Sequence, residues 1–142
     1  MAPVDKFITY TETMREVTHI PIRHLDRDSV NPIQDLRLLL ELMRLYKKHK
    51  PDLILHYTVK PNIYGGLAAR LLGIPSVGVI TGLGYSLMHE GWINVITRLL
   101  YKFFLPFHRK VIFENTDDKA LFEKAGLVSA SKSVAIKGCG VD

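Results

Sequence analysis

Short apolar runs rich in Val, Ile and Leu recur between longer stretches of helical periodicity, and that alternation restricts the chain to a parallel sheet wrapped by helices. The runs are Val17 to Ile22, Leu53 to Tyr57, Ser76 to Thr81, Lys110 to Glu114 and Ser133 to Ile136. Most are apolar throughout rather than alternating, as strands buried on both faces need to be. The expected fold is α/β, a three-layer parallel sheet. A length of 142 residues with 47% hydrophobic positions suits a single domain with its own core. No repeat period or low-complexity tract points to a solenoid or a disordered tail.

Local chemistry sets the expected helix ends. Asn31 is a plausible N-cap before Pro32, whose missing amide needs no partner in a first turn. The helix that follows carries an apolar face at Ile33, Leu36, Leu40 and Met43, widened by leucines at 38, 39, 42 and 45. Lys47, Lys48 and Lys50 crowd its end, where the helix dipole favours cations. A second helix runs from about Pro61 to Gly73, a residue suited to a left-handed cap, and Pro75 blocks continuation. A third spans Trp92 to Phe107 and is apolar nearly all round, at 92, 93, 96, 99, 100, 103, 104 and 107.

Several function classes drop out. The single cysteine, Cys139, allows no internal disulfide, and no histidine or carboxylate cluster stands near it, so a metal site is not expected. No run reaches the ~18 apolar residues of a spanning helix, and Met1 to Tyr10 lacks the order of a signal peptide. A net charge of +5 favours anionic partners, such as lipid headgroups, pyrophosphates or nucleic acid. Nucleic acid is not expected, because no recognised motif and no interleaved aromatic and basic face accompanies the charge. Gly82-Leu83-Gly84 lacks the third glycine and the later acidic residue of a dinucleotide fingerprint, which sets nicotinamide and flavin aside.

The candidate site lies where a strand hands over to a helix, the edge at which open α/β sheets bind ligands. His56, Tyr57, Thr58 and Lys60 would present polar groups there, with Lys60 near a helix N-terminus able to hold a phosphate or sugar oxygen. Against this stands a satisfied core histidine at 56 and a solvated charge at 60. Gly65 and Gly66 read as packing glycines more readily than as ligand cradles. Gly82 and Gly84 would let backbone amides approach a substrate, or form a plain tight turn. For Trp92 to Phe107 two accounts stand: a core helix packed on two sides, or a helix lying in the headgroup layer with its cations on anionic lipid. His89, Glu90 and Trp92 would line an acceptor entrance or be ordinary surface. Asn115, Asp117 and Asp118 sit at a strand-to-helix junction, where capping is a readier role than catalysis.

Four segments together resemble the bacterial family-4 glycosyltransferases that build capsules and O-antigens, over about residues 50 to 142. They are Lys50-Pro51-Asp52-Leu53-Ile54-Leu55-His56 continuing through Lys60-Pro61 and Gly65-Gly66-Leu67-Ala68-Ala69-Arg70-Leu71-Leu72-Gly73-Ile74-Pro75; Thr81-Gly82-Leu83-Gly84-Tyr85; Val111-Ile112-Phe113-Glu114-Asn115-Thr116-Asp117-Asp118 with Leu121-Phe122; and Lys137-Gly138-Cys139-Gly140-Val141-Asp142. Glu114 stands where the family usually has Gln, and Thr81 where many members carry a histidine by the transferred sugar, so no catalytic residue is assigned.

The resemblance implies one half of a GT-B architecture. Residues 1–142 would be a single partial Rossmann-like domain on the acceptor side, lacking the family's first β-α unit of about 30 residues, with the donor-binding domain absent. The whole enzyme would move a sugar from a nucleotide-sugar to a saccharide, polyprenyl-linked by expectation, with retention and without a metal or other cofactor. Acceptor-binding candidates are His56, Tyr57, Lys60, Gly82, Gly84, Tyr85 and Asn115, and membrane-facing candidates Trp92, Arg98, Phe103 and Phe104. Expected partners are the acceptor, a membrane surface and, through exposed sheet edges, a second copy; the expected location is cytoplasmic, at the inner face of the membrane. The alternative is a non-catalytic, membrane-recruiting subunit of a split glycosyltransferase.

Overall fold

The computed structural model describes residues 18–26, 31–82 and 91–136. Helix α1 (Pro32–His49) leads into strand β1 (Ile54–Tyr57). Helix α2 begins as a π-helical segment, Pro61–Gly65, and continues as α-helix over Gly66–Leu71. Strand β2 (Ser76–Ile80), helix α3 (Trp92–Phe104) with a 3-10 turn at Leu105–Phe107, strand β3 (Lys110–Phe113), helix α4 (Thr116–Lys124) and strand β4 (Ser133–Ala135) complete the order. The four strands form one parallel sheet in the order β1-β2-β3-β4, with Ile54 opposite Ser76, Gly78 opposite Val111 and Val111 opposite Ser133. The α/β parallel fold expected from the alternation is therefore present.

One expected strand is not. Thr18 to Ile22 adopts no strand, and Val17 lies outside the described residues. Pro21 has no amide to give to a ladder. The amides of Arg23 and His24 instead donate to the Glu41 carboxylate at 3.0 Å each, and Ile22 is buried in the cluster of α1. This stretch lies across a helix rather than beside a strand.

Strand order explains where the helices sit. A sheet that advances one strand at a time in one direction, through right-handed crossovers, lays each connecting helix on the same face. The register places Ile54, His56, Ser76, Gly78, Ile80, Val111, Phe113 and Ser133 on one face. That face meets the described helices: Tyr46 of α1 reaches His56, Phe122 of α4 packs edge-on to Phe113 with centroids 5.2 Å apart, and Tyr101 of α3 lies 5.5 Å from Phe122. On the opposite face Leu55 and Tyr57 are each 51% exposed. Among the described residues, then, two of the three expected layers are present.

Two apolar clusters fill the covered face. One joins Ile63, Ile80, Tyr101, Leu105, Val111, Phe113 and Phe122. The other joins Leu38, Leu42 and Tyr46 of α1 to Ala68 and Ala69 of α2. Burying each large side chain is worth about 1.5–3 kcal/mol. The buried stripe of α1 thus runs through Leu38, Leu42 and Tyr46, spaced by four, and corrects the expected face: Ile33, Leu36 and Leu40 are exposed and Met43 only partly covered. The helix carries two apolar stripes, and periodicity does not say which meets α2 and the sheet. Its ends follow the local signals. The Asn31 side chain accepts from the Ile33 amide at 3.0 Å, and Lys50 closes the helix in the left-handed region at φ 44°. Gly73, at φ 69°, ends the second helical stretch.

Candidate functional site

At the C-terminal ends of β1 and β2 a pocket of about 150 Å³ is lined by Thr58, Val59, Asn62, Thr81, Gly82 and Tyr101, among others. Its floor is unusual. Thr58, β-branched, sits at φ 67°, a conformation costing on the order of 1–3 kcal/mol that persists where surroundings impose it. The imposing group is Asn62, whose amide nitrogen donates to the Thr58 carbonyl at 2.7 Å and to the Val79 carbonyl at 2.9 Å, tying the two strand ends together. Asn62 belongs to the π-helical opening of α2, a local widening found mostly at functional sites. Its side-chain oxygen is buried without a protein partner. Tyr101 is buried, and desolvation raises its hydroxyl well above the ordinary value, so it remains a neutral donor. The lining offers hydroxyls and amides but no carboxylate and no ammonium. Such a pocket can hold hydroxyl-bearing groups, and among the described residues it has no side chain suited to proton transfer at neutral pH.

Beside it, sharing Val59, opens a larger groove of about 540 Å³ between α1, α2 and α3. Leu36, Leu39, Ile63, Leu67, Ile93 and Ile96 make most of its wall. One polar triad interrupts them. Lys60 Nζ lies 2.8 Å from Asp35 Oδ1, and the Tyr64 hydroxyl donates to Asp35 Oδ2 at 2.8 Å. With side chains only 11% and 15% exposed, Lys60 and Asp35 neutralise one another. Lys60 is accordingly neither the free anion holder nor the solvated charge of the sequence reading. Burial, and then the Asp35 carboxylate, push the Tyr64 phenol far up, which keeps it a donor.

His56 is 3% exposed and belongs to the core rather than the cleft. Its Nε2 meets the Tyr46 hydroxyl at 2.8 Å, while Nδ1 has no partner. Next to it, with ring centroids 5.3 Å apart, lies His108, a residue the sequence did not single out. His108 Nε2 donates to the Asn62 carbonyl at 2.9 Å, which fixes Nδ1 as the acceptor of the Ser76 hydroxyl, also at 2.9 Å. Desolvation, reinforced by the neighbouring His108, pushes His56 down to about 3; desolvation also lowers His108, against the Asn62 hydrogen bond. Both are neutral at physiological pH. The glycines serve this layer: a Cβ on Gly65 would enter the His56 ring, one on Gly66 would come within 2.7 Å of the His108 ring, and one on Gly78 within 2.7 Å of Asn62 Oδ1.

The remaining candidates divide. Tyr57 is half-exposed on the uncovered sheet face and does not line the pocket. Gly82 lines the pocket at φ 133°. Gly84, Tyr85, His89, Glu90 and Cys139 lie outside the described residues. Asn115 caps α4: its side-chain oxygen accepts from the Asp118 amide at 2.7 Å and its nitrogen donates to the Asp118 carboxylate at 2.8 Å. On α3, Trp92, Ile96, Leu99 and Phe103 form an outward apolar stripe, with Trp92 62% and Phe103 67% exposed, flanked by exposed Arg98 and Lys102. Phe104 is not part of it; it turns inward, against the core and edge-on to Phe107. No described helix is long and apolar enough to cross a membrane, and no metal-binding group of His, Cys, Asp or Glu occurs among the described residues. Asn62, Asp35 and Tyr64 carried no sequence signal as site residues, because their partners lie 17 to 29 positions away.

Comparison with known proteins places this geometry. The chain is 27% identical over 139 residues, 94% of its length, to N,N'-diacetylbacillosaminyl-diphospho-undecaprenol alpha-1,3-N-acetylgalactosaminyltransferase of Campylobacter jejuni. It is 28% identical over 115 residues, 80% of its length, to UDP-Gal:alpha-D-GlcNAc-diphosphoundecaprenol alpha-1,3-galactosyltransferase of Escherichia coli. The match covers 37% of the first relative and 30% of the second, so the chain spans about a third of either. Among solved structures, MurG of Acinetobacter baumannii shares the fold with a TM-score of 0.58 over 99% of this chain and 36% of its own, at 20% identity. Residues 10–115 match the glycosyl transferase 4-like family, and the chain belongs to that family.

Proposed function

We propose that the chain is the acceptor-binding half of a retaining glycosyltransferase that moves a sugar from a nucleotide-sugar to a lipid-linked saccharide in surface polysaccharide synthesis. The observation that carries the reading is the juxtaposition, at the C-terminal sheet edge, of a polar pocket and an apolar groove that share Val59. An amphiphilic acceptor has the same division. Both relatives named above act, by their names, on saccharides joined to undecaprenol through a diphosphate. The pocket's hydroxyls and amides suit sugar hydroxyls, and the donor, with the electrostatic stabilisation of the leaving diphosphate, would belong to a second domain. Work on a membrane-embedded substrate also accounts for the outward stripe of α3, whose cations and Trp92 suit the headgroup layer of the cytoplasmic leaflet. The outer edge of β1, which pairs with no other strand among the described residues, would be the place for a second copy to pair.

The sole tryptophan, Trp92, reports binding directly. Its fluorescence should change on titration with nanodiscs carrying N-acetylglucosaminyl-diphosphoundecaprenol and change less with nanodiscs carrying undecaprenyl phosphate. Identical curves for the two lipids would exclude recognition of the saccharide.

A further inference from the structure

We infer that the groove between α1, α2 and α3 binds the proximal isoprene units of the acceptor's polyprenyl chain, drawing them out of the bilayer beside the sugar pocket. The inference rests on the acceptor reading above and goes beyond it, because a lipid-linked substrate can also be served by a surface that touches only headgroups. Three observations separate the two. First, the groove is concave and of ligand size: about 540 Å³ falls in the roughly 300–1,000 Å³ range of small-molecule sites. A helix that merely rests on lipid needs an apolar stripe, not a hollow behind it.

Second, the groove is continuous at both ends. Trp92 and Ile96 belong at once to its wall and to the outward stripe, while Val59 belongs to its wall and to the polar pocket. A chain running from bilayer to sugar would follow that line. Third, the charge is arranged for an apolar chain that leaves a charged headgroup layer. Within the groove the Lys60 ammonium is neutralised by Asp35, so the wall carries no free cation that an alkene chain would have to desolvate. The exposed cations Arg98 and Lys102 stand outside, on α3, where the phosphates of bilayer headgroups can reach them. Leu36, also lining the groove, is exposed at its mouth.

The test uses the whole chain and farnesyl diphosphate bearing a terminal diazirine, irradiated below its micellar concentration, with labelled peptides located by mass spectrometry. Labels should fall within residues 32–39 and 59–67. Leu36→Asp, an exposed position whose change should not unfold the chain, should reduce labelling about tenfold by setting a charge in an apolar mouth. Leu121→Glu, exposed on α4 and outside both the groove and the stripe, should leave it within twofold. Labelling confined to 92–104, or unchanged by Leu36→Asp, would overturn the groove while leaving saccharide recognition intact. Loss of the saccharide-dependent Trp92 signal in nanodiscs would instead strike the acceptor reading itself, so the two failures read differently.

Discussion

Acidification should unfold this protein through His56, and the size of the effect can be worked out. The folded chain holds His56 down at about 3 because the ring is desolvated beneath α1 and α2, with His108 beside it. The unfolded chain restores the ordinary 6.5. The unfolded state therefore binds the proton more readily, so the stabilising contribution is complete above 6.5 and is lost progressively as pH falls below it. Each pH unit well inside that window costs up to about 1.4 kcal/mol for one site, and between pH 6 and 5 His56 alone should cost about 1.2 kcal/mol. His108, also lowered, adds in the same direction. Carried through to pH 3 the loss from His56 would reach about 4 kcal/mol, most of the stability of a marginal domain, so the chain should unfold before the ring titrates in place. Glu41 does not blur the window. Burial works to raise its carboxyl, but the amides of Arg23 and His24 outweigh this and hold it below 4.5, so its contribution goes only at lower pH. Urea melts at pH 7.5, 6 and 5 should show the midpoint falling steeply over the last unit, and His56→Gln should flatten that fall by about one proton. A wild-type midpoint that stays level between pH 6 and 5, or an equal slope in the variant, would refute the buried-histidine argument.

Three further perturbations test other parts. Gly66→Ala gains about 1 kcal/mol of helix propensity, yet the new Cβ would lie 2.7 Å from a His108 ring pinned by two hydrogen bonds, so thermal melts should show a net loss of about 1–2 kcal/mol. Asn115→Ala removes the cap of α4 and should lower stability by about 1 kcal/mol without altering saccharide-dependent Trp92 fluorescence; a binding defect larger than the stability loss would give Asn115 a direct role in the site. Flotation with anionic liposomes should separate wild type from Phe103→Glu, and equal partitioning of the two would remove the membrane role proposed for α3.

What could be seen in the sequence was what local chemistry decides. Four of the five expected strands exist within a residue or two of their predicted limits, because a continuous apolar run between turn residues has few other uses. Asn31, Asn115 and Gly73 end helices as expected, since a cap is a transaction between near neighbours. The hidden part was set by distant contacts. Pro21 and the bonds from Arg23 and His24 to Glu41 turned an apolar run away from the sheet. Lys60 looked available for an anion until Asp35, 25 positions earlier, was found within 2.8 Å. His56 had two readings, and only the position of Tyr46 and the glycine at 65 placed it in the core.

Helix α3 joins these two kinds of information. Its sequence is apolar almost all round, which two-sided packing and a lipid surface explain equally well. The structure divides the apolar residues into separate stripes: Thr97, Tyr101 and Phe104 turn inward to the sheet's covered face, and Trp92, Ile96, Leu99 and Phe103 remain outside. Water is a poor solvent for the second set, and holding it there costs free energy that a purely structural helix would avoid by substituting polar residues. The stripe also meets the groove at Ile96, and the groove meets the strained Thr58 pocket at Val59. An apolar surface, an apolar hollow and a polar pocket follow one another at one end of the sheet, in the order in which a lipid-linked saccharide would present its parts. Separate structural roles for the three features would not require that order, whereas the proposed seating of a polyprenyl chain in the groove does.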